Sequence, residues 1–319
     1  MARPKSETIS DEMLGKVSLA AELYYIYGMN QNAIAEQLGV SRVWISRLLK
    51  KAEELGIVRI EVNTTSAGAK ELEKQLVDKY GLKSAKIIQA ESSDLRLAYS
   101  GQAAANYITS ILRPHDTISI FWGKTIAAMV QQFVPLDFPG VTVVPLVGGI
   151  GTDASLLSNQ LAYQMANRIG ATCHPLNAPG YVAGKKEKML LLNDPSIQEA
   201  IRLSEHADIA VFGVGYLRNK TQQITGCTTE EEFAALEKVG AVGDIALHFV
   251  DAQGKLVDHP VADRLVSGDI CLTRKNAREA IGVAVGTEKT KILHAALVGG
   301  WLDVLITDNE TARLLIDYK

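Results

Sequence analysis

Along the first sixty residues apolar side chains recur three and four positions apart, the rhythm of helices that bury one face. Val17, Ala20, Ala21 and Tyr24 predict a first helix from about Glu12 to Tyr27, closed by Gly28. Ile34, Ala35 and Leu38 predict a second, closed by Gly39, and Ser41 stands where the N-cap of a third belongs. In that third helix Ile45, Leu48, Leu49, Ala52 and Leu55 keep one apolar face as far as Gly56. The alternation in "IVRIEV" then predicts a strand over Ile57 to Val62, placed to lie against the helices as a small wing. "NTTSAGAK" is small and polar and reads as a linker, and Leu72 and Leu76 predict a connecting helix that runs to Tyr80.

Beyond about residue 65 the period changes. "SAKIIQA", "DTISIFWG", "VTVVPLVGG", "ADIAVFGVG", "GVAVGT" and "DVLITD" are short β-rich runs, separated by helical stretches such as Ala98–Leu112, Ser155–Ile169 and Lys289–Leu297. Alternation of this kind predicts an α/β fold, a doubly wound and mostly parallel sheet with helices on both faces. The expected organisation is a winged helix-turn-helix over residues 1–64, then a linker helix and a larger α/β domain over 65–319. A chain of 319 residues is long enough for both.

The first module has a specific geometry written into it. A helix-turn-helix needs a small residue where its helices approach, a glycine at the turn and an aliphatic residue to plug the junction. Ala35, Gly39 and Ile45 meet those needs at the required spacing. Four basic residues and no acidic one lie between Ser41 and Lys51, although residues 1–65 hold eight of each sign. Positive charge is thus concentrated on the one helix that a DNA groove would receive. With Ser41 opening that helix, Arg42, Val43, Ser46 and Arg47 are expected to face base edges. Lys50, Lys51 and the second helix's N-terminus at Asn30 and Gln31 are expected to meet phosphates. A helical hairpin with a solvated basic face would explain the charge but not the junction spacing. Trp44 has two destinations, the DNA backbone or the second helix and wing.

Composition narrows the setting. With 33 basic and 36 acidic residues the net charge is −3, which excludes a uniformly basic nucleic-acid coat but not a local patch. No apolar run reaches the length of a membrane span and the first ten residues are polar, so a cytoplasmic protein is expected. Cys173, Cys227 and Cys271 have neither CxxC spacing nor a nearby histidine pair, and are expected to be packing residues in a reducing compartment.

In the larger domain glycines follow the predicted strands: Gly123, then Gly148, Gly149 and Gly151, then Gly213, Gly215 and Gly286. At the carboxyl edge of a parallel sheet such loops let backbone N–H groups approach a small polar or anionic ligand; ordinary βα turns use glycine as well. Gly149, Gly151 and Ala154 satisfy GxGxxA, yet Cys173 and His174 stand where a dinucleotide site needs an acid. "VGYLRNKT" lacks the P-loop glycines at Val214 and Asn219, so no nucleotide cofactor is expected. Asp153, Asp244, Asp251 and Asp308 are candidate bases for isomerase chemistry, but they read equally well as strand ends and caps, with no orienting partner evident. The six histidines are scattered, so no metal is expected.

"LYYIYGMNQNAIAEQLGVSRVWISRLLKKAEELGIVRI" resembles the N-terminal signature of the SorC family of bacterial sugar-responsive transcriptional regulators. "FWGKT", "VVPLVGGIG", "GDIALHFVDAQG" and "GGWLDVLITDNETARLLI" resemble that family's C-terminal domain, in order, so the likeness runs from about residue 14 to 317. It implies an effector domain similar to sugar-phosphate isomerases in fold, which binds a sugar, sugar alcohol or sugar phosphate without turnover. It also implies homodimers or homotetramers on an operator, with Leu72 and Leu76 a candidate contact, and control of a carbohydrate-utilisation operon.

By motif the resemblance places Gly123, Lys124, Thr125, Gly148, Gly149, Gln160, Asp244 and Lys289 at the effector. Lys124 and Lys289 can neutralise a phosphate, Thr125 donates, and Gln160 and Asp244 can bond hydroxyls. Either lysine reads as a surface residue too, and Asp244 as a turn cap. Family members that recognise phosphorylated sugars often carry a basic residue directly before the paired glycines. Val147 occupies that position, which excludes a Schiff base there and favours an unphosphorylated ligand.

Overall fold

The computed structural model describes residues 11–58, 67–90, 92–151, 157–218 and 228–319. Contacts divide the chain into two compact units, Met1–Asn63 and Thr64–Lys319. The first contains α1 (Asp11–Ala21), a π-helical turn (Glu22–Ile26), α2 (Gln31–Leu38) and α3 (Arg42–Glu54). The single first helix expected to Tyr27 instead changes period at Glu22, where the Tyr27 N–H reaches back five residues to the Glu22 carbonyl at 3.1 Å. Val17, Ala20, Ile34, Ile45, Leu48 and Leu49 close a small core. Ile57 and Val58 form bends, with Val58 packed against that core, and the rest of the expected wing strand lies outside the described residues.

The second unit opens with α4 (Ala67–Tyr80) and is built on a seven-stranded sheet. Its order is β1 (Ser84–Ile88), β10 (Val304–Asp308), β9 (Glu279–Val283), β5 (Ile209–Phe212), β2 (Thr117–Ile120), β3 (Thr142–Pro145) and β4 (Thr172–Cys173). Every pairing is parallel. All residues of β5 and β10 are buried, which requires cover on both faces and explains why these strands read as continuous apolar runs. The cover comes from α5 (Ser93–Ile111), α6 (Lys124–Gln132), α7 (Ser158–Ile169), α8 (Lys185–Leu192), α9 (Pro195–Glu205), α10 (Glu230–Lys238), α11 (Ile270–Asn276), α12 (Thr290–Val298) and α13 (Asn309–Asp317). α5 and α6 approach so closely that a Cβ on Gly101 would lie 2.6 Å from the Ala128 carbonyl carbon.

Strand β2 lies between β3 and β5, and the chain leaves β2 toward β3 but leaves β5 toward β9. Connections therefore part in opposite directions above β2 and β5, opening a crevice at the carboxyl edge. A second sheet fills part of this edge: β6 (Val214–Tyr216), β7 (Gly243–Ile245) and β8 (His248–Val250), antiparallel throughout. Sequence periodicity merges "ADIAVFGVG" into one strand. The structure breaks it at Gly213, where the Phe121 ring occupies the space a side chain would need, a Cβ lying 2.1 Å from its Cδ1.

Three expectations are corrected here. Leu76 is fully buried in the second unit's own core, which leaves it no face for a contact between copies, while Leu72 is half-buried against that core. Cys271 is exposed, at odds with a packing role, whereas the half-buried Cys173 packs against the core as expected, and Cys227 lies outside the described residues. Val147 is buried in the core, bridged to Ser267, so its side chain does not report on the ligand's charge. Among the described residues no helix is long and apolar enough to cross a membrane.

Candidate functional site

In the first unit Gly39 takes φ +65°, a left-handed conformation that costs a Cβ-bearing residue about 1–2 kcal/mol. Its N–H and that of Val40 then close α2 onto the carbonyls of Glu36 and Ala35, at 3.3 and 2.9 Å. Two residues on, the Ser41 hydroxyl accepts the Trp44 N–H at 3.2 Å and starts α3. Ile45 is fully buried at the junction and Ala35 nearly so.

The opposite side of α3 is left to solvent: Arg42, Val43, Ser46, Arg47 and Lys50 are all exposed, as is Ser41. Val43 is 62% exposed, a poor place for an aliphatic side chain unless something covers it. Two phosphate candidates are otherwise engaged. Lys51 is half-buried and pairs with Glu54 at 3.2 Å, and the Asn30 side chain caps α2 by accepting the Asn32 and Ala33 N–H groups. Gln31 is half-buried at the start of α2, and Trp44 packs against this unit's core.

A cavity of about 470 Å³ opens in the second unit at the carboxyl edge of the sheet, within the usual range for a small-molecule site. Five of the eight predicted effector residues line it: Gly123, Lys124, Thr125, Asp244 and Lys289. Gly123, at φ +105°, turns the chain from β2 into α6, so the start of that helix, with its uncapped N–H groups, lines the crevice. Lys124 is exposed and Thr125 half-buried beside it. Asp244 is 2% exposed, and its Oδ2 accepts the Leu247 N–H at 2.9 Å. It therefore caps the β7–β8 turn and lines the cavity at once. Burial lowers the Lys289 pKa, against the opposing pull of Glu288, Asp244 and Asp308.

Gly148, Gly149 and Gln160 do not line the cavity among the described residues. Gly148 serves packing: a Cβ there would lie 2.5 Å from the Pro179 carbonyl oxygen, whereas one on Gly149 would meet nothing closer than 3.9 Å. Their N–H groups donate to Val266 and Ala178 at 3.0 and 2.8 Å, leaving none for a ligand. Gln160 is exposed on α7, whereas its neighbour Asn159 is tied to both the N–H and the carbonyl of Leu176. Asp153 and Ala154 lie outside the described residues, as do Asn219 and Lys220 of the rejected P-loop. The other carboxylate candidates are caps: Asp251 accepts the Gln253 and Lys255 N–H groups, and Asp308 starts α13.

Sequence reasoning missed the walls. Phe121 and Trp122 stand between β2 and Gly123, and Leu247, Phe249, Tyr181 and Tyr216 arrive from distant segments. The Trp122 indole N–H is buried without an acceptor among the described residues, which costs free energy unless water or a ligand supplies one. Ser93, Asp94 and Leu97 reach in from the start of α5. Only "FW" before "GKT" had a local signal, two bulky aromatics at a strand's carboxyl end. Tyr181 is placed by Arg264, whose guanidinium lies 5.6 Å from its ring and 2.8 Å from Glu232, a contact across some eighty residues of chain.

A helix-turn-helix unit joined to an α/β unit with a ligand-sized cavity at its switch point defines a ligand-controlled DNA-binding protein. A family profile described as "Putative sugar-binding domain" matches residues 65–317. The deoxyribonucleoside regulator of Bacillus subtilis is 33% identical over 306 residues, 93% of this chain and 96% of that protein. The sorbitol operon regulator of Klebsiella pneumoniae is 32% identical over 313 residues, with the same coverage of 93% and 96%. The crystal structure of full-length SorC from Klebsiella pneumoniae matches with a TM-score of 0.80 at 30% identity, covering 96% of this chain and 99% of that one. The chain belongs to the SorC family and is a transcriptional regulator whose DNA binding is controlled through its effector domain.

Proposed function

We propose that the cavity binds a small carbohydrate, whether sugar, sugar alcohol or sugar phosphate, and that its occupancy sets the affinity of α3 for an operator. The observation that carries this reading is the make-up of the cavity wall. Phe121, Trp122 and Leu247 offer flat or rounded apolar faces beside Lys124, Thr125, Asp244 and Lys289. Aromatic rings suit the C–H face of a sugar, carboxylates accept from its hydroxyls, and the α6 N-terminus with two lysines favours an anionic group. With Val147 buried in the core, the phosphorylated ligand stands level with the unphosphorylated one. Relatives named for a sorbitol operon and for deoxyribonucleosides support the same ligand class.

Binding without turnover is supported by relatives named as regulators and by Asp244, Asp251 and Asp308 each holding a backbone N–H group. On DNA, Arg42, Val43, Ser46 and Arg47 read bases and Lys50 meets phosphate. One helix-turn-helix reads few base pairs, so the regulator acts as a homodimer or homotetramer on a repeated site. It works in the cytoplasm on a carbohydrate-utilisation operon. A coupling of about 1–3 kcal/mol changes operator affinity roughly 5- to 150-fold.

The test pairs a thermal-shift screen of sugars, polyols and their phosphates with a DNA site selected from a random pool by the full chain. Arg47→Ala should lose selective DNA binding and keep the carbohydrate-induced shift. Asp244→Ala should do the reverse, with Lys289→Met as the milder partner should the turn at Asp244 collapse. Unchanged site selection by Arg47→Ala, or an undiminished shift in both cavity variants, would sink the assignment.

A further inference from the structure

Two helices lead from the cavity loop to α4: α13 is tied at both ends, α12 at its start and its middle. α12 begins directly after the cavity-lining Lys289, with Thr290 Oγ1 donating to the Thr287 carbonyl at 2.7 Å. α13 begins at Asp308, which is fully buried. Asp308 Oδ2 accepts the Gly286 N–H of the cavity loop at 2.7 Å and the Thr311 hydroxyl at 2.8 Å, and Oδ1 accepts the Thr311 N–H at 2.9 Å. One carboxylate thus fastens the loop to the start of α13.

Lys79 and Tyr80, the last two residues of α4, fasten the carboxyl end of α13 and the middle of α12. Lys79 Nζ donates to the carbonyls of Leu315, Ile316 and Tyr318 at 3.0, 2.8 and 2.6 Å, satisfying the carboxyl end of α13 with a cation where the helix dipole favours one. The Tyr80 hydroxyl donates to the Leu315 carbonyl at 2.8 Å. With its one hydrogen so used, the phenol oxygen accepts from Nδ1–H of His294 on α12 at 3.0 Å. The His294 ring stacks on Tyr318 at 4.2 Å between centroids. Burial, then Tyr318, pushes the Tyr80 pKa up to about 12, so the phenol keeps its proton. Burial, then Lys79, lowers that of His294, which favours the neutral ring.

A fastening for the chain's last helix would need Lys79 alone. The bonds from Tyr80 to His294 and from Asp308 to Gly286 add something else: α4, α12, α13 and the cavity loop form a closed ring of contacts, all within the second unit. We propose that Lys79 and Tyr80 are positioning residues that couple the cavity loop Gly286–Lys289 to α4, the helix from which the chain continues back to the first unit. A ligand that draws Lys289 inward moves the starts of α12 and α13 together, and Lys79 and Tyr80 pass that change to α4. The role rests on reading the cavity as the effector site, but the mechanical link does not. Coupling is reciprocal, so loosening α4 must loosen the loop.

Hydrogen–deuterium exchange on the full chain tests the link without DNA or ligand. In Lys79→Met and in the milder Tyr80→Phe, amides of residues 283–290 should exchange roughly threefold faster or more, while β3 and β4, on the far side of the same sheet, keep their rates. Faster exchange confined to residues 67–80 and 309–319 would make the contacts a local fastening and overturn the proposal. So would an increase shared by the whole unit. A chain that shows the predicted exchange but answers to no carbohydrate would retain the coupling and refute the ligand reading instead.

Discussion

Lys124 and Lys289 share a cavity but not an environment: the first is exposed at the start of α6, the second is crowded by protein and faces three carboxylates. A motif names both alike, and only three dimensions separate a mobile surface cation from one whose charge is costly to hold. Glycine shows the same ambiguity. Gly123 and Gly148 each follow a strand, yet one opens a helix toward the cavity and the other lets two backbones touch. Gly148→Ala should therefore act through stability rather than directly on the ligand, overpacking against Pro179 at a cost of about 1–3 kcal/mol. Gly39→Ala, with open space around it, pays only for its left-handed backbone. Chemical denaturation of the two variants measures both losses, and a Gly148→Ala variant as stable as the parent chain would count against the packing role of Gly148.

Among the elements, the α2–α3 pair was the most legible from sequence, because its determinants are local. Ala35, Gly39, Ser41 and Ile45 lie within eleven residues, and capping, turn and periodicity agree. The β6–β7–β8 sheet was not legible, since its turn residues Ala246 and Leu247 take φ +47° and +67° without being glycine or asparagine. Asp244 and the surrounding core hold that turn. His248 follows directly, its Nδ1 2.9 Å from the Ala246 carbonyl and its Nε2 3.3 Å from Ser267 Oγ. Burial first, and Lys188 in addition, depress its pKa to about 4, against the opposing pull of Asp269 and of backbone carbonyls. The unfolded chain binds that proton near pH 6.5, so between about 6.5 and 4 it holds more protons than the folded chain. Stability is therefore full above pH 6.5 and falls toward pH 4, by at most about 3 kcal/mol for the half-buried ring. Denaturation midpoints across that range should slope less steeply in His248→Gln than in the parent chain; parallel slopes would assign the acid sensitivity to other groups.

For the whole molecule, alternating β-rich and helical runs sufficed to anticipate a parallel sheet, but strand order did not follow from them. Order depends on pairings between distant segments, such as β1 with β10, and those set the position of the crevice above β2 and β5. That is why individual lining residues were found by motif and the cavity's aromatic walls were not. Each unit has its own core, with no residue common to both clusters. Residues 65–319 expressed alone should thus fold and retain the carbohydrate-induced thermal shift while losing DNA binding; a fragment that stays unfolded, measured by circular dichroism, would show that the sensing unit depends on the first.

The pairing of Ser84 with Val304 also governs how the protein is made. β1 must wait for a partner about 220 residues downstream, roughly ten to forty seconds at usual rates of synthesis. The helices of the first unit are complete long before. A ribosome that stalls in between releases a finished reading head on an unfinished sensor, a product that carries the DNA-facing helix without effector control. Cells that depend on this regulator have reason to degrade such fragments quickly.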